Sequence, residues 1–211
     1  MGRTLFALAA CAFAVLLAGC ETLPPWKSVP SGQQAEYGRI ESGGDLIQFL
    51  AFSDDPGIVA IAIQNRDSTS LGRYAILLDG PAREAMRAAF QKYDNWKRLA
   101  LENQAEITKT ITTLELTQMY YRYGSWHDAG DRDVSLVFTA SIDDNFAQTF
   151  LLTLKPSPVF MRRGFFWVYG RDSLVLNEDE AKTFGDLLQE KAVDSGYQKA
   201  KKKQDVIDMF K

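Results

Sequence analysis

Two alternating runs on either side of an acidic turn constrain the fold most. In the first run, apolar or small side chains recur at every second position: Val134, Leu136, Phe138, Ala140 and Ile142. After the turn Asp143-Asp144-Asn145, the apolar side of the second run is formed by Phe150, Leu152 and Leu154, and Pro156 and Pro158 end it. A period of two is typical of strands with one buried face. The sequence therefore predicts an antiparallel hairpin that needs a second layer on its apolar face.

Two helical patterns supply that layer. Asp79-Gly80-Pro81 is a helix start, after which apolar residues recur at helical spacing: Met86, Phe90, Tyr93, Trp96 and Ala100. Asn177, with Glu180 three residues later, is close to a capping box. The helix that follows is predicted to bury Ala181, Phe184, Leu187 and Leu188. These patterns predict an α+β fold with antiparallel sheet, two main helices and a C-terminal helical tail.

The layout of strands and helix occurs twice along the chain. Three strands are predicted in the first half, at Asp45–Phe52, Gly57–Gln64 and Arg73–Leu78. The Thr-rich stretch Ile107–Tyr123 begins the second half as one long strand or two short ones. The sequence thus suggests two similar strand-strand-strand-helix units at about residues 45–103 and 106–194, although any strand-to-helix unit would show part of this agreement.

The N-terminal segment is typical of an export signal. Its apolar run, Leu5 to Ala18, is shorter than the roughly 20 residues that span a bilayer and has the length of a signal-peptide core. The run ends in Leu17-Ala18-Gly19-Cys20, which resembles the lipobox of bacterial lipoproteins. The resemblance implies that residues 1–19 are removed and that Cys20 becomes the first residue and carries covalent lipid. Two or more acyl chains would hold the protein stably on a membrane.

The residue after Cys20 bears on which membrane holds the protein. In lipoproteins of enteric-type bacteria, an aspartate at this place favours retention in the inner membrane, and this chain has Glu21 instead. The resemblance therefore implies the outer membrane, at its periplasmic face or its surface, if the source has one, and the plasma membrane if it does not. Residues 20–34 form the lipidated N-terminus and a Pro-, Ser- and Gly-rich tether, residues 35–194 a single domain, and residues 195–211 a basic tail. The tail is either a solvated terminal helix or a contact for anionic lipids.

Composition excludes several function classes. The formal net charge of the 211 residues is -3, and loss of Arg3 with the signal makes it -4, so nothing attracts nucleic acid. The two cysteines are Cys11, in the signal, and Cys20. The domain therefore has no thiol for catalysis, disulfides or metal binding. No cofactor is predicted beyond the lipid on Cys20.

Catalytic signals are weak. His127 is the only histidine, so a multi-histidine metal site is excluded. With Asp128 beside it and serines elsewhere, a hydrolytic triad is conceivable, but there is no Gly-x-Ser-x-Gly elbow. We interpret His127 as a residue of a hairpin loop.

Three carboxylates in the same predicted loop raise the question of calcium. Asp128, Asp131 and Asp133 are closely spaced oxygen ligands, but the stretch lacks the glutamate and spacing of an EF-hand. Arg132 also lies between two of them. A solvated turn is the interpretation we favour.

A basic and aromatic segment is a candidate ligand-binding surface for a sugar, a lipid head group or an acidic partner. Arg162 and Arg163 precede a dense aromatic run that includes Phe165, Trp167 and Tyr169. The same aromatic residues also suit a strand packed under the second helix.

These observations together predict a lipid-anchored protein of the cell envelope. Its domain is expected to be a binding or assembly module at the membrane surface, with an envelope protein or glycan as partner. The alternative is a hydrolase of envelope material that uses loop carboxylates, with or without His127.

Overall fold

The computed structural model describes residues 32–65, 73–122, 125–157, 159–160, 168–169 and 173–210. The first half contains strands β1 (Gln34–Ser42), β2 (Asp45–Phe52), β3 (Val59–Asn65) and β4 (Arg73–Leu78), followed by helix α1 (Gly80–Asn103). The second half contains β5 (Ile107–Arg122), β6 (Ser125–Ile142), β7 (Gln148–Pro156), β8 (Val159–Phe160), β9 (Val168–Tyr169), β10 (Leu174–Leu176), α2 (Glu178–Leu187) and α3 (Glu190–Asp208).

The main sheet has eight strands in the order β1-β2-β3-β4-β5-β6-β7-β10, and β8 and β9 form a separate pair. Every pairing in both sheets is antiparallel. With the three helices, this confirms the prediction of an α+β fold. Among the described residues, no helix is both long enough and apolar enough to cross a membrane.

The three helices cover one face of the sheet, and large side chains fill the space between the layers. Phe184 of α2 lies at its centre and is fully buried. Its ring centroid is 4.9 Å from that of Phe49 on β2 and 5.0 Å from that of Phe90 on α1. The predicted hairpin is confirmed: Val134, Leu136 and Phe138 are buried in the same core. Alternation along the strands thus positions the sheet against the helices.

Helix α1 begins and is packed as predicted. The Asp79 side chain accepts a hydrogen bond from the Ala82 backbone N–H at 2.9 Å, which satisfies one of the free donors of the first turn. Four members of the predicted stripe are buried, and Trp96 is half-buried against the core. Beyond the helix, Gln104 adopts the left-handed conformation that often ends a helix.

Helix α2 has the complete capping box that the sequence nearly specified. The Asn177 side chain accepts from the Glu180 N–H at 3.0 Å, and the Glu180 carboxylate accepts from the Asn177 N–H at 2.8 Å. Both free donors are therefore satisfied within the chain.

Helix α3 corrects the prediction for the C-terminus. The sequence predicts that a separate basic tail begins at residue 195, but α3 begins at Glu190 and runs through Ser195 and Gly196. Gly196 is buried where α3 packs closely on β1 and β2. A Cβ at this position would lie only 2.5 Å from Tyr37 Cδ1. The glycine permits close helix-to-sheet packing and does not end the helix.

Strand β1 was not expected. Its sequence has few large apolar residues, and a register irregularity between Glu36 and Gly38 interrupts its alternation. The strand is tied to the far side of the sheet: the Ser42 Oγ lies 2.8 Å from the Val175 carbonyl oxygen of β10 and 2.9 Å from a carboxylate oxygen of Glu180. The first and last strands of the sheet are thereby joined.

Candidate functional site

A cleft opens where β4 and β5 part. The two strands pair only from Leu77↔Thr117 to Tyr74↔Tyr120. Past this point β4 ends and the chain enters α1. The earlier residues of β5 have no partner from β4 and continue along the helix, paired with β6 on their other side. The space between them has a volume of about 500 Å³, which is in the range of small-ligand sites.

The cleft combines apolar walls with an acidic lining. The apolar part includes Ile58, Leu77, Pro81, Ala82, Ala85, Leu114 and Leu116. Three carboxylates also line it, from Asp55, Asp79 and Glu115. The chemistry of the lining suits a group with an apolar stem and a positive charge.

Backbone hydrogen bonds position two of these carboxylates. Asp55 Oδ1 accepts from the Gly57 N–H at 2.8 Å in the turn between β2 and β3. The Asp79 side chain is the N-cap of α1. Glu115 lies in the middle of β5 and is exposed.

An acidic strip continues from the cleft across the helix-free face of the β5–β6 hairpin. Side chains directly opposite each other on paired strands share a face. Glu115 lies opposite Asp133, and Thr117, whose hydroxyl donates to the Asp131 carboxylate, lies opposite Asp131. Across the irregularity between Gln118 and Met119, Asp128 lies opposite Met119 and returns to the same face. We call Glu115, Asp128, Asp131 and Asp133 the acidic strip.

Like charges in the acidic strip are not neutralised within the part of the chain that the structure describes. No lysine or arginine there forms an ion pair with Glu115, Asp131 or Asp133. Arg132 lies opposite Leu116 and therefore on the other face. Because like charges directly across a strand pair are destabilising, a bound cation would relieve the repulsion between Glu115 and Asp133.

The loop predicted around His127 is a strand, so this prediction is wrong. His127, Asp128, Asp131 and Asp133 all belong to β6, because β5 and β6 stay paired as far as Arg122↔Ser125. This part of the strand was not predicted because its outward face carries polar side chains, which are typical of loops.

His127 and Asp128 are not placed to pair with each other as in a hydrolytic triad. As neighbours on a strand, they point to opposite faces. The His127 ring stacks on Tyr120, with centroids 5.2 Å apart, and Asp128 Oδ1 accepts from the Gly130 N–H at 2.6 Å. Across the described segments, no three His, Cys, Asp or Glu side chains are grouped to hold a metal ion.

The other predicted site residues lie largely outside the described residues. Cys20, Glu21, Arg162, Arg163, Phe165 and Trp167 are in this group. Tyr169 is described only through its backbone, in β9.

Sequence reasoning missed the cleft. The sequence predicts Asp79 only as part of a helix start, and no pattern singles out Asp55 or Glu115 as a site residue. They are far apart in the sequence and meet through two strand registers, Val59↔Leu78 and Leu77↔Thr117. No local motif records these pairings.

Comparisons with protein-family models, with curated proteins and with solved structures find no match for this chain.

Proposed function

We propose that this protein is a lipoprotein of the cell envelope, anchored through Cys20 and directed to the outer membrane by the absence of aspartate at position 21. The sequence Leu17-Ala18-Gly19-Cys20 supports the anchor. The α+β domain is a binding module that holds an envelope protein close to the membrane surface.

The acidic cleft is the observation that carries the binding role. Its apolar walls would bury a side-chain stem, and Asp55, Asp79 and Glu115 would pair with a cation at its end. Desolvated charge pairs of this kind fix orientation and partner choice. The partner segment therefore presents a lysine or arginine among apolar residues.

An internal duplication would explain the order of elements. In the main sheet, α1 follows the fourth strand and α2 follows the eighth. We infer two related units, each an antiparallel run of strands ending in a helix on the same face. In this arrangement, the cleft lies at the junction of the two units, where β4 of the first pairs with β5 of the second.

Site-directed photo-crosslinking in native envelopes tests the binding role. A crosslinking amino acid in place of Ala85, which lines the cleft, is expected to capture one envelope protein. The double change Glu115→Gln with Asp133→Asn removes the paired negative charges and is expected to abolish that product. Placement at Ala88, which is exposed on the same helix, and the change Glu190→Gln, which removes an exposed carboxylate elsewhere, are the matched controls.

Two results would contradict the proposal. One is a crosslinked product that persists at the same yield in the variant with Glu115→Gln and Asp133→Asn. The other is hydrolysis of cell-wall or lipid substrates by the purified protein that is lost in Glu115→Gln, which would favour the alternative, an envelope hydrolase.

A further inference from the structure

One end of the molecule is built from three chain segments that are tied together. They are residues 96–103 of α1, the α1–β5 connection with the start of β5 (residues 104–109), and the β6–β7 turn (residues 143–147); we call them the tip. The Gln148 amide nitrogen donates to the carbonyl oxygens of Ala100 at 3.0 Å and Ala105 at 3.3 Å. The Ile142 N–H donates to the Glu106 carboxylate at 3.1 Å. The tip is therefore one connected surface.

The tip exposes large apolar side chains on all three segments. Leu99 is 42%, Leu101 58%, Ile107 42% and Phe146 90% exposed. Clustered exposure of this kind marks an interaction surface, whereas single exposed apolar residues are ordinary.

The backbone at Phe146, whose ring is exposed, adopts an unfavourable conformation. Its φ of 61° lies in the left-handed region, which is unfavourable for a bulky residue. Asp143 Oδ1 fixes the turn by accepting from the N–H groups of Asn145 at 2.9 Å and Ala147 at 2.8 Å. A strained backbone that holds a phenyl ring in solvent indicates a function for that ring.

Beside these residues lies an apolar groove of about 330 Å³ between α1 and the start of β5. Trp96 lines it, and the ammonium groups of Lys92 and Lys109 lie 4.8 Å and 5.3 Å from the centroid of its ring. An indole next to lysine side chains that can extend towards water is the combination found at membrane interfaces.

The end of the sheet at which β1 begins, together with the proposed anchor, points to a bilayer as the occupant of this surface. Strand β1 begins at the end of the sheet where β4 finishes, as the pairings Gln34↔Phe52, Ala51↔Val59 and Val59↔Leu78 show. The first half of β5, with the tip, extends beyond this same end because Leu77 pairs with Thr117. The residues between Cys20 and Gly32 reach at most about 40 Å when fully extended, so an anchored domain stays within reach of the lipid surface.

We propose that the tip inserts into the lipid bilayer, with Phe146, Leu101, Leu99 and Ile107 among the acyl chains and Trp96 at the level of the head groups. This orientation rests on the proposed lipid anchor for its biological setting, but the insertion itself does not require the anchor. Carboxylates at the tip, from Glu102, Glu106, Asp143 and Asp144, accompany its lysines and Arg98. Insertion is therefore driven by apolar burial and occurs on vesicles of neutral phosphatidylcholine, with little dependence on salt.

The test uses the full mature chain with Cys20→Ser, which cannot be lipidated. Co-sedimentation with phosphatidylcholine vesicles is expected, and the double change Phe146→Ser with Leu101→Ser lowers the vesicle partition coefficient at least tenfold. The matched control is Met209→Ser with Phe210→Ser, since these side chains are 73% and 87% exposed at the end of α3. A blue shift of tryptophan fluorescence on vesicle addition, lost in Trp96→Phe, reports the position of the indole.

Three results would overturn the proposal. They are no binding of the unlipidated chain to vesicles, an equal loss of binding in the α3 control, and a dimer in solution that dissociates in the Phe146/Leu101 variant. The last result would assign the tip to contacts between copies. The mass of Cys20 in protein extracted from membranes tests the anchor separately, because vesicle binding by the serine variant stands whether or not Cys20 carries lipid.

Discussion

The two faces of the main sheet differ in the side chains that they carry. Along the β5–β6 hairpin, the face towards the helices is formed by Leu114, Leu116, Val134, Leu136 and Phe138. The opposite face of the same strands carries Thr113, Glu115, Thr117, Asp131, Asp133 and Ser135. Along this part of the hairpin, alternation therefore places apolar side chains on the helix face and polar or charged side chains on the other. Substitutions on the helix face should change the free energy of unfolding, and substitutions on the acidic face should change binding.

The largest expected effect is at the centre of the helix face. Phe184→Ala removes a fully buried ring from between Phe49 and Phe90 and should lower the free energy of unfolding by about 3–5 kcal/mol. Urea unfolding followed by circular dichroism measures it. Phe146→Ala, which truncates a ring that is 90% exposed, should change stability by less than about 0.5 kcal/mol. Equal losses in the two variants would refute this description of the core.

Close packing of α3 gives the next effect. Gly196→Ala places a methyl group 2.5 Å from Tyr37 Cδ1 and 3.1 Å from Ala51 Cβ, so the helix must move away. The clash outweighs the better helix propensity of alanine, and we expect a loss of about 1–3 kcal/mol. Gly80→Ala is the control, because nothing lies within 4 Å of its added Cβ, and its melting temperature should not fall. A neutral Gly196→Ala would show that α3 is packed loosely.

Two tyrosines between the sheet and the helices, the half-buried Tyr37 of β1 and the fully buried Tyr93 of α1, should respond oppositely. The Tyr37 hydroxyl donates to the Leu187 carbonyl oxygen at 3.2 Å, whereas the Tyr93 hydroxyl is buried with no hydrogen-bond partner among the described residues. Tyr37→Phe should cost about 1 kcal/mol, and Tyr93→Phe should be neutral or stabilising. Thermal melts of both variants test this contrast, and a larger loss in Tyr93→Phe would contradict it.

The raised phenol pKa values of the same two tyrosines predict that the protein loses stability at alkaline pH. Burial raises the phenol pKa of both above the ordinary value of 10.0, and nearby carboxylates of Glu178 and Asp94 add to the effect on the pKa of Tyr93. A raised folded-state pKa stabilises the protein fully below about pH 10, and this contribution is lost as the pH rises through the folded-state value. Unfolding free energies measured between pH 8 and 11 should therefore fall less in the double Tyr→Phe variant than in the wild type.

The smallest expected effect on stability lies on the acidic face and has the opposite sign. Glu115→Gln or Asp133→Asn removes like-charge repulsion across the strand pair and should raise the unfolding free energy by up to about 0.5 kcal/mol at low salt. The gain should shrink as salt screens the charges. Thermal melts at low and high salt measure it, and a clear destabilisation would show that these carboxylates support the fold instead of a partner.

Much of the helix face could be predicted from the sequence. The period of two in β6 and β7 and the capped helical stripes of α1 and α2 are local patterns that coincide with burial. Strand β1 could not be found this way, because it lies at the sheet edge with few apolar residues. In α3, Gly196 allows the helix to approach the sheet closely and does not mark a helix end. A glycine in the sequence does not distinguish these two roles.

The acidic face was harder to predict for a physical reason. An outward strand face made of aspartate, threonine and serine has the composition of a loop, so the sequence predicts a loop for His127 and the aspartates of β6. The cleft depends on where β4 leaves β5, and strand registers between distant segments leave no signature in a single sequence. The charged residues are visible in the sequence, but their arrangement in space is not.

The contact between Ser42 and the elements around Val175 has a consequence for the timing of folding. It joins residues 133 and 138 positions apart in the chain, so the two sheet edges can meet only after nearly all of the chain has emerged. Contacts of such long range form late because the loop that they close costs entropy. The hairpins between neighbouring strands close much shorter loops, so we expect them to form first and this closure to form last.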